Sequence, residues 1–157
     1  MPITSLSEAT QLIQWVNTQT GAVATGSTVM PDDDTIPQIT EGNEYMTLAI
    51  TPTNAANTLL IDVVINFSCN YDEAVMLALF QDATAGALAA ETVYATSTGN
   101  RYTTHFTHKM TAGTTSATTF RVRVGASTAG TITFNGYSAG RRLGGVMASS
   151  ITIREVR

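Results

Sequence analysis

Along Glu44–Ser68 the hydrophobic and polar positions alternate, break, and alternate again. Met46, Leu48 and Ile50 interleave with Tyr45, Thr47 and Ala49, the period of two that sets one face of a strand on a core. Pro52, Asn54 and Asn57 interrupt the run with turn chemistry. Leu59, Ile61, Val63, Ile65 and Phe67 then take one face of a second strand, with Leu60, Asp62, Val64 and Asn66 on the other. Leu60 and Val64 are out of place on a fully solvated face, so that face too is predicted to be covered.

The same punctuation continues through the chain. Leu12, Gln14, Val16 and Thr18 oppose Ile13, Trp15 and Asn17; Tyr102, Thr104, Phe106, His108 and Met110 oppose Thr103, His105, Thr107 and Lys109. Phe120, Val122 and Val124 point inward from a strand whose outer face carries Arg121 and Arg123, and Ile151, Ile153 and Glu155 share one face of the last strand. Ala74–Phe80 is apolar without alternation, Ala87–Ala95 reads as a strand or one helical turn, and a short helix is otherwise expected only near Leu6–Gln11 or in Ala85–Glu91. Eight to ten short strands with Gly, Pro, Asn and Ser between them predict an all-β fold: a single antiparallel β-sandwich of jelly-roll type or a closed barrel. A seven-stranded immunoglobulin-like sandwich is the structural alternative. The sandwich is expected over residues 12–157, preceded by a short arm, residues 1–11, in which Ile3 and Leu6 are apolar anchors.

Composition adds an expectation about assembly. Only 13% of the 157 residues are charged, about half the usual share. Thr is abundant, which suits strand surfaces, and depleted charge also suits a chain that covers itself with copies of itself. The charges are sorted: residues 1–100 hold eleven of the twelve acids and no Lys or Arg, while all eight bases lie from Arg101 onward, seven of them Arg. No linker separates the halves, so complementary surfaces of one domain or of neighbouring protomers are expected. Net charge −4 with a single Lys argues against nucleic acid as a partner. Cys69 stands alone and is expected to be buried rather than reactive. No apolar run reaches the length of a membrane span and the N-terminus has no basic region, so neither membrane insertion nor a secretion signal is expected.

Candidate chemistry is sparse. His105 and His108 are three apart on a strand and face opposite ways, so one chain cannot direct both at one metal, although a trimer could gather three copies of one His at its axis. Asp32-Asp33-Asp34 lacks the ligand spacing of a calcium loop and reads as a solvated loop or as a partner for Arg121 or Arg142. Asp72 and Glu73 are consecutive in a turn, no nucleophile elbow occurs, and Gly144-Gly145 lacks a phosphate-loop tail. No enzyme, metal or cofactor is expected. Contact with partners is expected instead from Tyr71, Tyr94, Tyr102 and Tyr137 near turns, which suit glycan or protein recognition, and from Arg121 and Arg123. These two should find acids in the first hundred residues, such as Asp32–Asp34, Glu41 or Glu44, or else form a patch for an anionic glycan.

Gln14-Trp15-Val16, Asp34-Thr35-Ile36-Pro37, the run Leu48–Asp62, and the strings ALFQD (Ala78–Asp82), MTAGTTSATTFRVRVG (Met110–Gly125) and GTITFNG (Gly130–Gly136) resemble a module of phage tail fibres and related virion proteins. The resemblance spans about residues 12–156 and implies a homotrimeric sandwich on a phage particle, without catalytic residues. It implies a tail-fibre or tail-tip head that binds the host surface, or a capsid decoration protein, with other virion proteins as partners reached through the short arm. A soluble carbohydrate-binding module is the non-virion alternative.

Overall fold

The computed structural model describes residues 10–96 and 100–157, and twelve strands lie among them. In chain order these are β1 (Leu12–Thr20), β2 (Ala24–Gly26), β3 (Asn43–Ile50), β4 (Thr58–Cys69), β5 (Glu73–Gln81) and β6 (Ala89–Ala95), then β7 (Arg101–Thr111), β8 (Thr118–Ala126), β9 (Ile132–Phe134), β10 (Gly136–Tyr137), β11 (Gly140–Arg141) and β12 (Ser149–Val156). One sheet runs β1-β12-β4, with β7 on the far side of β4; β4 outlasts β12 and pairs at its end with β9, which carries β2. The second sheet runs β3-β8-β5-β6. Every strand pairing among the described residues is antiparallel, and the two sheets close face to face as a sandwich.

Alternation decides what fills the sandwich. Leu59, Ile61, Val63, Ile65 and Phe67 are fully buried, and they meet Val75, Leu77, Leu79, Phe120, Val122 and Val124 from the other sheet. β5 shows why the Ala74–Phe80 run does not alternate. Its inner face is part of this core, while Met76, Ala78 and Phe80 on its outer face are covered by Met30 and Ile39 from the loop between β2 and β3. A central strand buried on both sides reads as continuous apolar sequence.

One open reading is decided and two local expectations change. Ala87–Ala95 contributes a strand from Ala89, not a helical turn, because Ala89–Ala95 pairs residue for residue with β5. Leu12 does not share a face with Gln14: a bulge between them sets Leu12 opposite Val156 and Gln14 opposite Glu155, so Leu12 joins Trp15 on the outer side. A second bulge, between Glu44 and Met46, turns Tyr45 inward beside Met46, where its ring stacks on Phe134 at 5.0 Å between centroids. The helical option near Leu6, and Ile3 with it, lie outside the described residues. Gln11 exchanges backbone hydrogen bonds with Arg157 (2.9 and 3.1 Å), which extends the β1–β12 ladder by one residue.

Candidate functional site

Strand register determines which turns share an end of the sandwich. Glu73 pairs with Ala95, Val75 with Ala126, Ser68 with Arg101 and Cys69 with Ile132. Tyr71, Tyr94, Tyr102 and Tyr137, scattered in sequence, therefore all lie at this one end. Their roles differ. Tyr71 and Tyr94 are exposed. Tyr102 is built into the fold: it stacks on Phe67 (5.6 Å) and its hydroxyl accepts the Thr96 amide (2.8 Å). Tyr137 is half-buried, with the Arg142 guanidinium 5.2 Å from its ring centre.

The same end carries the loop around Gly144-Gly145, in which sequence reading did not single out Leu143 and Val146. Between β11 and β12, Leu143 and Val146 are the two most exposed large hydrophobic side chains among the described residues (73% and 82%), and they lie within four residues after Arg142. Leu143 has φ 50°, Gly144 65° and Gly145 92°, and Ser138 and Ala139 just before are also left-handed. A branched residue held there costs about 1 kcal/mol or more, so surrounding contacts must hold the loop. Asn66 Nδ2 donates to Ala148 O (2.7 Å), the Ser149 hydroxyl to Asn135 Oδ1 (2.7 Å), and Asn135 Nδ2 to Thr20 O (2.7 Å). The loop also presses on Gly21, where a Cβ would lie 2.0 Å from Gly145 O. Two apolar residues around a Gly pair, outside any alternation, were the available sequence signal.

Beneath this end a cleft of about 290 Å³ is lined by Ser68, Asn70, Thr133 and Tyr137, with Cys69 at its wall. The Cys69 thiol is pushed up by burial and by the neighbouring Glu73 carboxylate, to which it donates at 3.6 Å. Glu73 is itself occupied by the Thr128 amide (2.8 Å) and the Thr128 hydroxyl (2.7 Å). This is the inert environment of a structural thiol.

At the opposite end sits Glu155, fully buried. Its carboxylate accepts from the Thr53 amide (3.0 Å) and hydroxyl (2.8 Å), the Asn54 amide (3.2 Å), Asn57 Nδ2 (2.6 Å) and Gln14 Nε2 (2.6 Å). Burial pushes its pKa up, but these donors outweigh it and bring the group down to about 2. Its sequence signal was slight: the only acid of the basic half, on the inward face of a strand.

Arg121 and Arg123 lie on the outer side of the second sheet and share Glu44 (3.3 and 3.6 Å). Arg123 also donates to the carbonyls of Glu41 and Gly42 (both 2.8 Å), and Arg121 to that of Asp82 (3.3 Å). The acids come from the first hundred residues, from Glu44 rather than Asp32–Asp34, and from the same chain. Asp33 instead accepts from its own loop, at the Thr35 amide (2.9 Å). His105 faces outward opposite Val64, and His108 inward opposite Ile61 with its pKa lowered by burial. Among the described residues no group of three or more His, Cys, Asp or Glu is placed to hold a metal, and no helix is long and apolar enough to cross a membrane.

The outer face of the first sheet is arranged in rows. Trp15, Arg154, Leu60 and Lys109 stand side by side across β1, β12, β4 and β7; the next row is Asn17, Thr152, Asp62 and Thr107, and the next Gln19, Ser150, Val64 and His105. Leu60 and Val64 are only half-covered, while Trp15 and Leu12 at the β1 border are 62% and 57% exposed. Arg154 pairs with Asp62 in the middle. The cover predicted over Leu60 and Val64 is not supplied by the described chain.

These features define an antiparallel sandwich with jelly-roll-like relatives, a partly apolar sheet face and a loop-rich end. Residues 23–157 match Chlam_vir, the Pgp3 C-terminal domain, and the chain belongs to that family. In solved structures the fold is similar to Eiger TNF from S. frugiperda, with TM-score 0.52 and 10% identity over 91% of this chain and 93% of that one. A CBM4 structure matches with TM-score 0.40 and 18% identity over 57% of this chain and 55% of that one. Particles derived from infectious bursal virus match with TM-score 0.46 and 14% identity over 99% and 40%. Both are likenesses too loose to bear on function. No curated protein matches the chain.

The family match overturns the resemblance to phage tail-fibre modules. With it fall the tail-fibre, tail-tip and capsid-decoration roles, the virion location, particle attachment through the arm, and the alternative of a soluble carbohydrate-binding module. The strings that carried the resemblance, such as Met110–Gly125, are Thr- and Gly-rich strands and turns. Any low-charge sandwich needs such sequence, so they reported architecture and not lineage.

Proposed function

We propose that the chain is a non-enzymatic interaction module that works as a homotrimer, assembled through the outer face of the β1-β12-β4-β7 sheet. The observation that carries this reading is an apolar strip on a sheet face, with Trp15 and neighbouring Leu12 exposed and Leu60 in the Trp15 row half-covered. Stacking two such faces squarely would bury Lys109, Arg154, Asp62 and the polar row between them, at a desolvation cost of several kcal/mol per ion. An edge-to-face contact avoids this. The β1 border, with Leu12 and Trp15, packs on Leu60 and Val64 of the next copy and leaves the polar positions facing a central channel. Such a contact uses two different surfaces, so it forms a ring where the rotation between copies closes, and three is the smallest such ring. The non-enzymatic part is supported by the state of the buried ionisable groups, since Glu155 and Glu73 are saturated with donors and the Cys69 thiol is pushed up.

Native mass spectrometry at micromolar concentration should report three chains. Leu60→Asp, at a half-covered outward position, should give a folded monomer by circular dichroism and sedimentation. A wild-type monomer or dimer, or a Leu60→Asp variant that still forms trimers, overturns the reading.

A further inference from the structure

We propose that the loop end of the sandwich docks on an anionic lipid surface, with Leu143 and Val146 entering the headgroup layer and Arg101, Arg141 and Arg142 facing lipid phosphates. In a chain of net charge −4, three of the eight cations collect at this end by register and loop placement. Four of the eight exposed large hydrophobics among the described residues collect there too: Tyr71, Tyr94, Leu143 and Val146. Leu143 and Val146 are the most exposed of these, on a loop whose backbone is left-handed at Leu143, Gly144 and Gly145. Fixed display of apolar tips next in sequence to the guanidinium groups of Arg141 and Arg142, with tyrosines at the same end of the sandwich, is the chemistry of an interfacial anchor. An acidic protein partner is less favoured because these tips stand out from the loop. They would need a matching pit, whereas a lipid surface receives protruding side chains without one.

The test is co-sedimentation of the full chain with phosphatidylcholine vesicles, with and without phosphatidylserine. Binding is expected only to the anionic vesicles and should weaken as salt rises, since the screening length shrinks to about 10 Å near 0.1 M. Leu143→Ser with Val146→Ser should reduce binding about tenfold or more at unchanged melting temperature, and Arg141→Gln with Arg142→Gln should remove the phosphatidylserine dependence. Three results would each overturn the proposal. The folded wild type could ignore anionic vesicles, the double serine variant could bind them as well as wild type, or polyglutamate could compete the protein off them, which would favour an acidic protein surface. Oligomeric state, read on the same variants, separates this from the trimer reading: trimers that lose vesicle binding support the anchor, while loss of the trimer makes the loop an assembly contact.

Discussion

Glu155 is the residue on which one end of the sandwich depends. It ties the last strand to β1 through Gln14 and to the β3–β4 turn through Thr53, Asn54 and Asn57. Because its folded pKa lies near 2, below its ordinary value of 4.5, the folded state binds the proton less readily than the unfolded chain. Its stabilisation is therefore complete above about pH 5 and is lost as pH falls toward 2. Glu155→Gln keeps the shape but gives up the charge and puts a donor among donors, which should cost about 1–3 kcal/mol at neutral pH. Urea unfolding measured from pH 7 to pH 3 should show a shallower acid slope for the variant. Parallel slopes would mean that the acid sensitivity resides elsewhere. In sequence this residue showed only its face and its isolation among bases, because the Thr53–Asn57 turn that receives it lies about a hundred positions away.

At the scale of elements, alternation was legible wherever one face of a strand meets the core and the other meets water. β4, β7 and β8 are of this kind, and their inward residues are the ones the period of two picks out. It failed where a non-local segment changes the rule. β5 is covered by the β2–β3 loop, and the bulges at Leu12–Gln14 and Glu44–Met46 shift side chains by one position against a strict period of two. The outer side of β8 gives a prediction at this scale. The Arg123 side chain is 17% exposed and bonds two carbonyls of the segment leading into β3, whereas Arg121 is 34% exposed and holds Glu44 from the rim. Arg123→Ala should lower stability by about 1–3 kcal/mol by leaving those carbonyls unpaired, and Arg121→Ala by no more than about 1 kcal/mol. Denaturant titration measures both. Since the partners belong to the same chain, neither change should alter the number of subunits.

For the whole molecule, the sandwich was readable from the even spacing of strands and turns, but its lineage was not, because Thr-rich strands and glycine turns recur in unrelated β-sandwiches. The candidate site was legible in its parts: four tyrosines near turns, and arginines sorted to the second half. Their collection at one end depends on register, which pairs β4 with β7 and β9 across large sequence separations. The two proposals meet at this scale. Edge-to-face contacts around a ring keep the strands of every copy running in one sense along the axis, so three loop ends would point to the same side. Three weak anchors then act together, and once one is engaged the others bind at an effective concentration of order mM. The monomeric Leu60→Asp variant, with its loop end intact, should therefore bind anionic vesicles at least tenfold more weakly than the trimer, with a faster off-rate in surface plasmon resonance on a lipid-coated chip. Equal binding by monomer and trimer would show that the three ends do not face one surface, and the edge-to-face arrangement would have to be abandoned even if the subunit count were three.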